Sequence, residues 1–241
     1  MKNKYTYIWV SFIILVFGII FIPKIIKRVN SGTVVENDRM NVKDNSGHLS
    51  YLIIDGKKSS VPSFGFINQD SILITNADYR NKVYVVEFFF TTCPSICPIM
   101  NQNLVQIQEE FKDFSNFGVA SFTINPEYDT PMVLKEYAEN YEVSNLNWNL
   151  MTGDSNAIYD LANKGFNIFA SVNPDAPGGF EHAGMFALVD KDGYLRSRVD
   201  AFGNPIIFYR GYITPEDGVD AQGEKEQITE LKEDIKKLLE E

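Results

Sequence analysis

The strongest constraint on the fold is the apolar run Val83-Tyr-Val-Val-Glu-Phe-Phe-Phe90, which stops at the two cysteines of the chain, in Thr91-Thr-Cys93-Pro-Ser-Ile-Cys97-Pro98. An unbroken run of β-branched and aromatic residues favours a strand, and Pro94 and Pro98 end it. Cys97 then opens a helix. Pro98 suits an early helical position because the N–H it lacks would have no intrahelical partner there, and its φ is already helical. Ile96, Met100, Leu104, Ile107, Phe111 and Phe114 return at spacings of three or four and predict one buried helical stripe.

The rest of the chain continues the alternation. Residues 49–54 read as a short strand, and 61–66 with 69–75 as an early hairpin. Residues 119–124 predict a strand, 131–141 a helix after the Asp129-Thr-Pro turn, and 156–164 a helix stopped by Gly165. Residues 166–172 are a short strand or insertion, 173–179 a breaker-rich loop, and 186–190 a strand turning at Lys191-Asp-Gly193. Residues 204–223 read as a loop, most structured at 208–211. Ile228, Leu231, Ile235, Leu238 and Leu239 line one face of a terminal helix that packs against the sheet. The pattern predicts an α/β fold, a mixed sheet flanked by helices on both faces, with the cysteines where a strand hands over to a helix.

Cysteines four apart share one side of a helical turn, where they can close a disulfide or hold a thiophilic metal. Two thiolates make an incomplete metal site, so the two histidines matter. His182 lies on a loop feeding the strand at 186–190, where an imidazole can be aimed at a partner loop. Two thiolates with one imidazole suit Cu(I), can take Cu(II), and leave zinc as an allowed rival. A structural disulfide or two buried thiols is the plainer alternative. His48 has no second ligand candidate beside it.

Near the amino terminus, residues 5–22 carry no charge and are followed by Pro23, Lys24, Lys27 and Arg28. The run predicts a retained transmembrane helix, with no small-x-small site after it for signal cleavage. The expected organisation is a membrane anchor over 1–28, a tether over 29–59 and one domain over 60–241. Basic residues on both sides of the span leave its direction open. Beyond residue 28 there are 17 basic against 32 acidic residues, which makes nucleic acid an unsuitable partner.

Four separated segments carry a resemblance. They are Cys93-Pro-Ser-Ile-Cys97-Pro98, Asn125-Pro-Glu-Tyr-Asp129-Thr-Pro131, Trp148-Asn-Leu-Met-Thr152-Gly153, and Glu181-His182 with the strand that follows. In this order they resemble the Sco/SenC family, thioredoxin-like copper-binding proteins that assist assembly of the copper centre of cytochrome c oxidase. The resemblance covers roughly residues 60–210. It implies a thioredoxin-like sheet, Cys93, Cys97 and His182 as ligands of Cu(I) or Cu(II), and a copper chaperone. It also implies an anchor in the inner (cytoplasmic) membrane with the domain on the periplasmic side. The implied partners are the copper-receiving subunit of cytochrome c oxidase or another copper chaperone, and a thiol reductant. The competing function is a membrane-anchored thiol-disulfide oxidoreductase using Cys93 and Cys97 as its redox pair. Two residues depart from the family pattern: Asn125 replaces an aspartate, and Glu181 replaces the usual aspartate before the histidine. Both bear on tuning rather than on the ligands.

Overall fold

Along the chain the strands are β1 (Ser50–Tyr51), β2 (Ile53–Ile54), β3 (Lys57–Lys58), β4 (Gly65–Asn68), β5 (Leu73–Thr75), β6 (Val83–Phe89) and β7 (Phe117–Thr123). They continue as β8 (Trp148–Thr152), β9 (Ala170–Val172), β10 (Phe180–His182), β11 (Met185–Val189), β12 (Leu195–Ser197) and β13 (Tyr209–Arg210). The helices are α1 (Thr6–Asn30), α2 (Cys97–Glu110), α3 (Pro131–Asn140), α4 (Ser155–Asp160) and α5 (Ile228–Glu240). This computed structural model describes residues 6–30, 49–54, 56–200 and 204–241. His48 and residues 31–48 of the expected tether lie outside the described residues. The chain divides into two compact units, Met1–Arg39 and Met40–Glu241.

In the larger unit the main sheet has the order β1-β12-β11-β6-β7-β8-β4-β5, with β13 added to β11. β6, β7 and β8 are parallel, and the strands outside them pair antiparallel. The α/β mixed sheet flanked by helices is therefore as expected. Every residue of β6 and of β7 is buried. That is why the run from Val83 reads as continuous apolar sequence rather than as an alternation, since strands covered on both faces have no solvent side to mark. Met100, Leu104 and Ile107 of α2 are fully buried and Phe111 is 2% exposed, whereas Phe114 is 39% exposed. α2 stops at Glu110, so Phe114 falls in the following turn and only its ring edge meets Phe111. α5 buries Ile228, Leu231, Ile235 and Leu238, and its Asp234 takes hydrogen bonds from Tyr209 Oη at 2.8 Å and Arg198 Nε at 2.7 Å.

The amino-terminal expectation is corrected. Residues 6–30 do form a helix, α1, but among the described residues no helix is long and apolar enough to cross a membrane. The uncharged part of α1 ahead of Pro23 rises only about 26 Å at 1.5 Å per residue. A bilayer core is about 30 Å thick, and basic residues follow. The transmembrane anchor, the membrane as a partner, and the inner-membrane location with a periplasmic domain, which all rested on that span, are set aside with it.

Candidate metal centre

β6 ends at Phe89, and residues 90–96 lead into α2, whose first residue is Cys97 with Pro98 directly behind it. The segment turns tightly enough for the Cys97 N–H to approach Cys93 Sγ at 3.5 Å, placing that sulfur at a helix amino terminus. Partial positive charge there favours a thiolate. Both cysteines are free thiols; Cys93 is 8% exposed and Cys97 1% exposed.

His182 arrives from 85 positions away on the β9–β10 hairpin, an insertion folded over the end of the sheet in which His182 pairs with Ala170. Its Nε2 stands 3.2 Å from Cys97 Sγ. The ring also meets Phe90 edge-on, with centroids 6.0 Å apart. Two glycines let the hairpin sit this close. At Gly184 (φ +64°) a Cβ would lie 2.8 Å from Tyr212 and 2.9 Å from Ile96. At Gly178 (φ +81°) it would lie 2.8 Å from the Phe90 ring. The three expected residues are thus brought together, with one ligand atom each from Cys93, Cys97 and His182 lying within 4.8 Å of one another. That is close to the span of one ion with bonds of about 2.3 Å on either side. A recess of about 200 Å³, lined among others by Cys93, Ser95, Phe180 and His182, opens the centre to solvent.

The two thiols are electrostatically unequal. A hydrogen bond from Cys97 holds the Cys93 thiol well below its ordinary value against the opposing effect of burial, and His182 with the backbone N–H groups of Ser95 and Cys97 adds to the lowering. Burial pushes Cys97 up, and its hydrogen bond to Cys93 and the charge there push it further. Cys93 therefore ionises first. The second proton stays on Cys97 until something replaces it.

Asp129 supports the centre in a way its turn-like sequence context does not announce. It is fully buried and accepts from the Thr91 N–H at 3.1 Å and from the hydroxyls of Thr91 and Thr123. This ties the residue two before Cys93 to the turn after β7. Asn125, the first departure, closes that turn with its backbone carbonyl, which takes the N–H groups of Tyr128 at 3.1 Å and Asp129 at 2.9 Å. A side-chain charge is not needed for this. Glu181, the second departure, is exposed and accepts from Asn173 Nδ2 at 3.1 Å across the hairpin. Asn101, one turn into α2, donates to the Cys97 carbonyl at 3.0 Å and to Tyr137 Oη at 3.1 Å, fixing the helix start from below.

The SCO1/SenC family matches residues 54–211. The chain belongs to this family. The SCO1 protein homolog of Bacillus subtilis (strain 168) is 33% identical over 143 residues, which are 58% of this chain and 74% of that protein. Among solved structures, a SCO1/SenC family lipoprotein from Bacillus anthracis superposes with a TM-score of 0.61 at 26% identity, covering 75% of this chain and 95% of that one. BsSco, a Sco-family cytochrome c oxidase assembly protein with a disulfide switch, superposes with a TM-score of 0.59 at 27% identity, covering 78% and 97%.

Proposed function

We propose that this Sco-family chain is a copper chaperone serving a copper-using respiratory enzyme, and that it carries one copper ion between Cys93 Sγ, Cys97 Sγ and His182. The observation that carries the proposal is the convergence of those three ligand atoms. Two soft sulfurs and one imidazole suit Cu(I) and also accept Cu(II), whereas a structural zinc site calls for four ligands. Three ligands beside an open recess leave a place for an incoming donor, which is what a carrier needs in order to give its cargo up. The carrier domain is residues 60–241, and the recipient is the copper-receiving subunit of cytochrome c oxidase or another copper chaperone.

The thiols set the conditions of loading. Cys93 offers a thiolate, and Cys97 gives up its proton as copper takes its place on sulfur. If the pair closes instead to a Cys93–Cys97 disulfide, two thiol protons and two electrons leave to an acceptor and the dithiolate site is lost. A thiol reductant is then needed before copper can be taken up again.

The lowered Cys93 thiol also favours a second reading, in which the pair reduces the recipient's own cysteines. Exchange needs an attacking and a resolving thiol, whereas the copper site also needs the imidazole. The test is to offer the recipient either copper-loaded chain or metal-free reduced chain with free Cu(I), using both the wild type and His182→Ala. A carrier fills the recipient only when it arrives loaded, and His182→Ala impairs filling almost as much as loss of a cysteine. Full maturation by His182→Ala would favour the reductase.

A further inference from the structure

At the end of β6 remote from the cysteines, segments 60–63, 76–81 and 191–193 enclose a cavity of about 450 Å³. The length of β6 places roughly 23 Å of strand between it and the metal centre. Tyr79 and Tyr84 line it, their ring centroids 4.5 Å apart. The Tyr79 hydroxyl is used, donating to the Val119 carbonyl at 2.8 Å and accepting from Asn149 at 3.0 Å. Tyr84 is only 2% exposed as a whole, and its hydroxyl, which makes no hydrogen bond to a described residue, is not among the fully buried unpartnered atoms and so meets solvent.

The charges around the cavity share one bias. Arg196, Arg198 and Arg210 each hold a carboxylate, and Arg80, which lines the cavity, is the one arginine among the described side chains that does not. Lys191 adds a second positive charge, held in place by donating to the Leu239 carbonyl at 3.1 Å, against a single lining acid, Asp192. The chain as a whole carries 32 acidic and 22 basic residues, so two bases against one acid in this lining run counter to its overall balance. The rim is fixed. Asn76 accepts from the Phe64 N–H at 2.6 Å and donates to the Pro62 carbonyl at 2.8 Å, and the Asn81 N–H donates to the Lys191 carbonyl at 3.1 Å.

We propose that this cavity binds a small organic oxyanion, a carboxylate or phosphate group carried on an apolar body. Arg80 takes two of its oxygens through the guanidinium fork, the Tyr84 hydroxyl donates to one of them, and Val61 and Ala77 border the apolar part. The site is separate from copper binding and stands or falls without it.

Calorimetric titration of the full chain with inorganic phosphate, with benzoate, and with neutral benzamide tests this. Phosphate or benzoate should saturate at one per chain, and benzamide should bind at least about tenfold more weakly. Arg80→Ala should weaken the anion by about tenfold or more, and Tyr84→Phe by roughly threefold to tenfold, with far-UV circular dichroism unchanged in both. Absence of saturation by both anions up to about 20 mM would leave the cavity to water and overturn the proposal. Equal affinity in wild type, Arg80→Ala and Tyr84→Phe would overturn it as well.

Discussion

Replacing Glu87 by Gln should change how stability depends on pH. Glu87 lies in the middle of the central strand β6, fully buried, opposite Ser121 of β7. Ser121 Oγ donates to its Oε1 at 2.6 Å and in turn accepts from Trp148 Nε1 at 3.0 Å, while Oε2 has no partner among the described residues. Burial outweighs the Ser121 hydrogen bond and pushes the carboxyl from its ordinary 4.5 up to about 7. The folded state thus binds this proton more tightly than the unfolded state. The associated stability is fully present below pH 4.5 and is lost as pH rises through 7, amounting to roughly 3 kcal/mol by pH 8. A glutamine side chain at this position has nearly the same shape and no charge to bury. Urea unfolding of both proteins at pH 5 and pH 8 should therefore show the variant gaining roughly 2–3 kcal/mol on the wild type between the two, since part of the loss has already occurred by pH 5. For a domain of this size that is a relative shift of roughly 5–10 °C in Tm. A difference that stays constant with pH, or that moves in favour of the wild type as pH rises, would refute the reasoning.

Asp129→Ala leaves three donors from Thr91 and Thr123 without their acceptor and should cost about 3 kcal/mol in chemical denaturation, with the cysteine loop loosened as well. Leu104→Ala, at a fully buried position of α2, should cost about 2–5 kcal/mol, whereas Leu146→Ser, at a position 97% exposed, should stay within about 0.5 kcal/mol. Gly184→Ala forces a Cβ against Tyr212 and Ile96 at positive φ, so it should displace the hairpin bearing His182 and lower copper affinity at least about tenfold, read by competition with a Cu(I) chelator.

The step from β6 into α2 was legible because each of its signals points the same way: an apolar run, a proline pair and a helical stripe. β8 was not. Trp148-Asn-Leu-Met-Thr152 stood out only as a motif, since it is short and carries Asn149, whose side chain is used inside the fold by Asn68 at 2.9 Å and by the Tyr79 hydroxyl at 3.0 Å. Gly165 reads in sequence as a helix stop, yet α4 continues past Asp160 as a wider π-turn over residues 161–166 that includes it. The glycine serves close packing there, because a Cβ would lie 2.9 Å from Pro62, and the turn ends instead at Asn167 with φ 56°. The meeting of His182 with the cysteines could be expected from motif order but not from local pattern, because it depends on how the β9–β10 hairpin folds back. The support given by Asp129 was hidden for a similar reason. A turn aspartate is usually solvated, and only the packed structure buries this one. The apolar run at the amino terminus misled in the other direction: lack of charge was legible, but the length of helix it provides falls short of a span.

The central claim is that Cys93, Cys97 and His182 act together as one copper site. It is tested most directly by the copper content of the full chain after exposure to Cu(I) and gel filtration, compared between the reduced and oxidised forms. The account predicts about one copper per reduced chain, much less after oxidation, little for Cys93→Ser or Cys97→Ser, and a weakened site with altered Cu(II)–thiolate absorption for His182→Ala. Equal copper binding by the reduced chain and by the chain with its Cys93–Cys97 disulfide closed would contradict it.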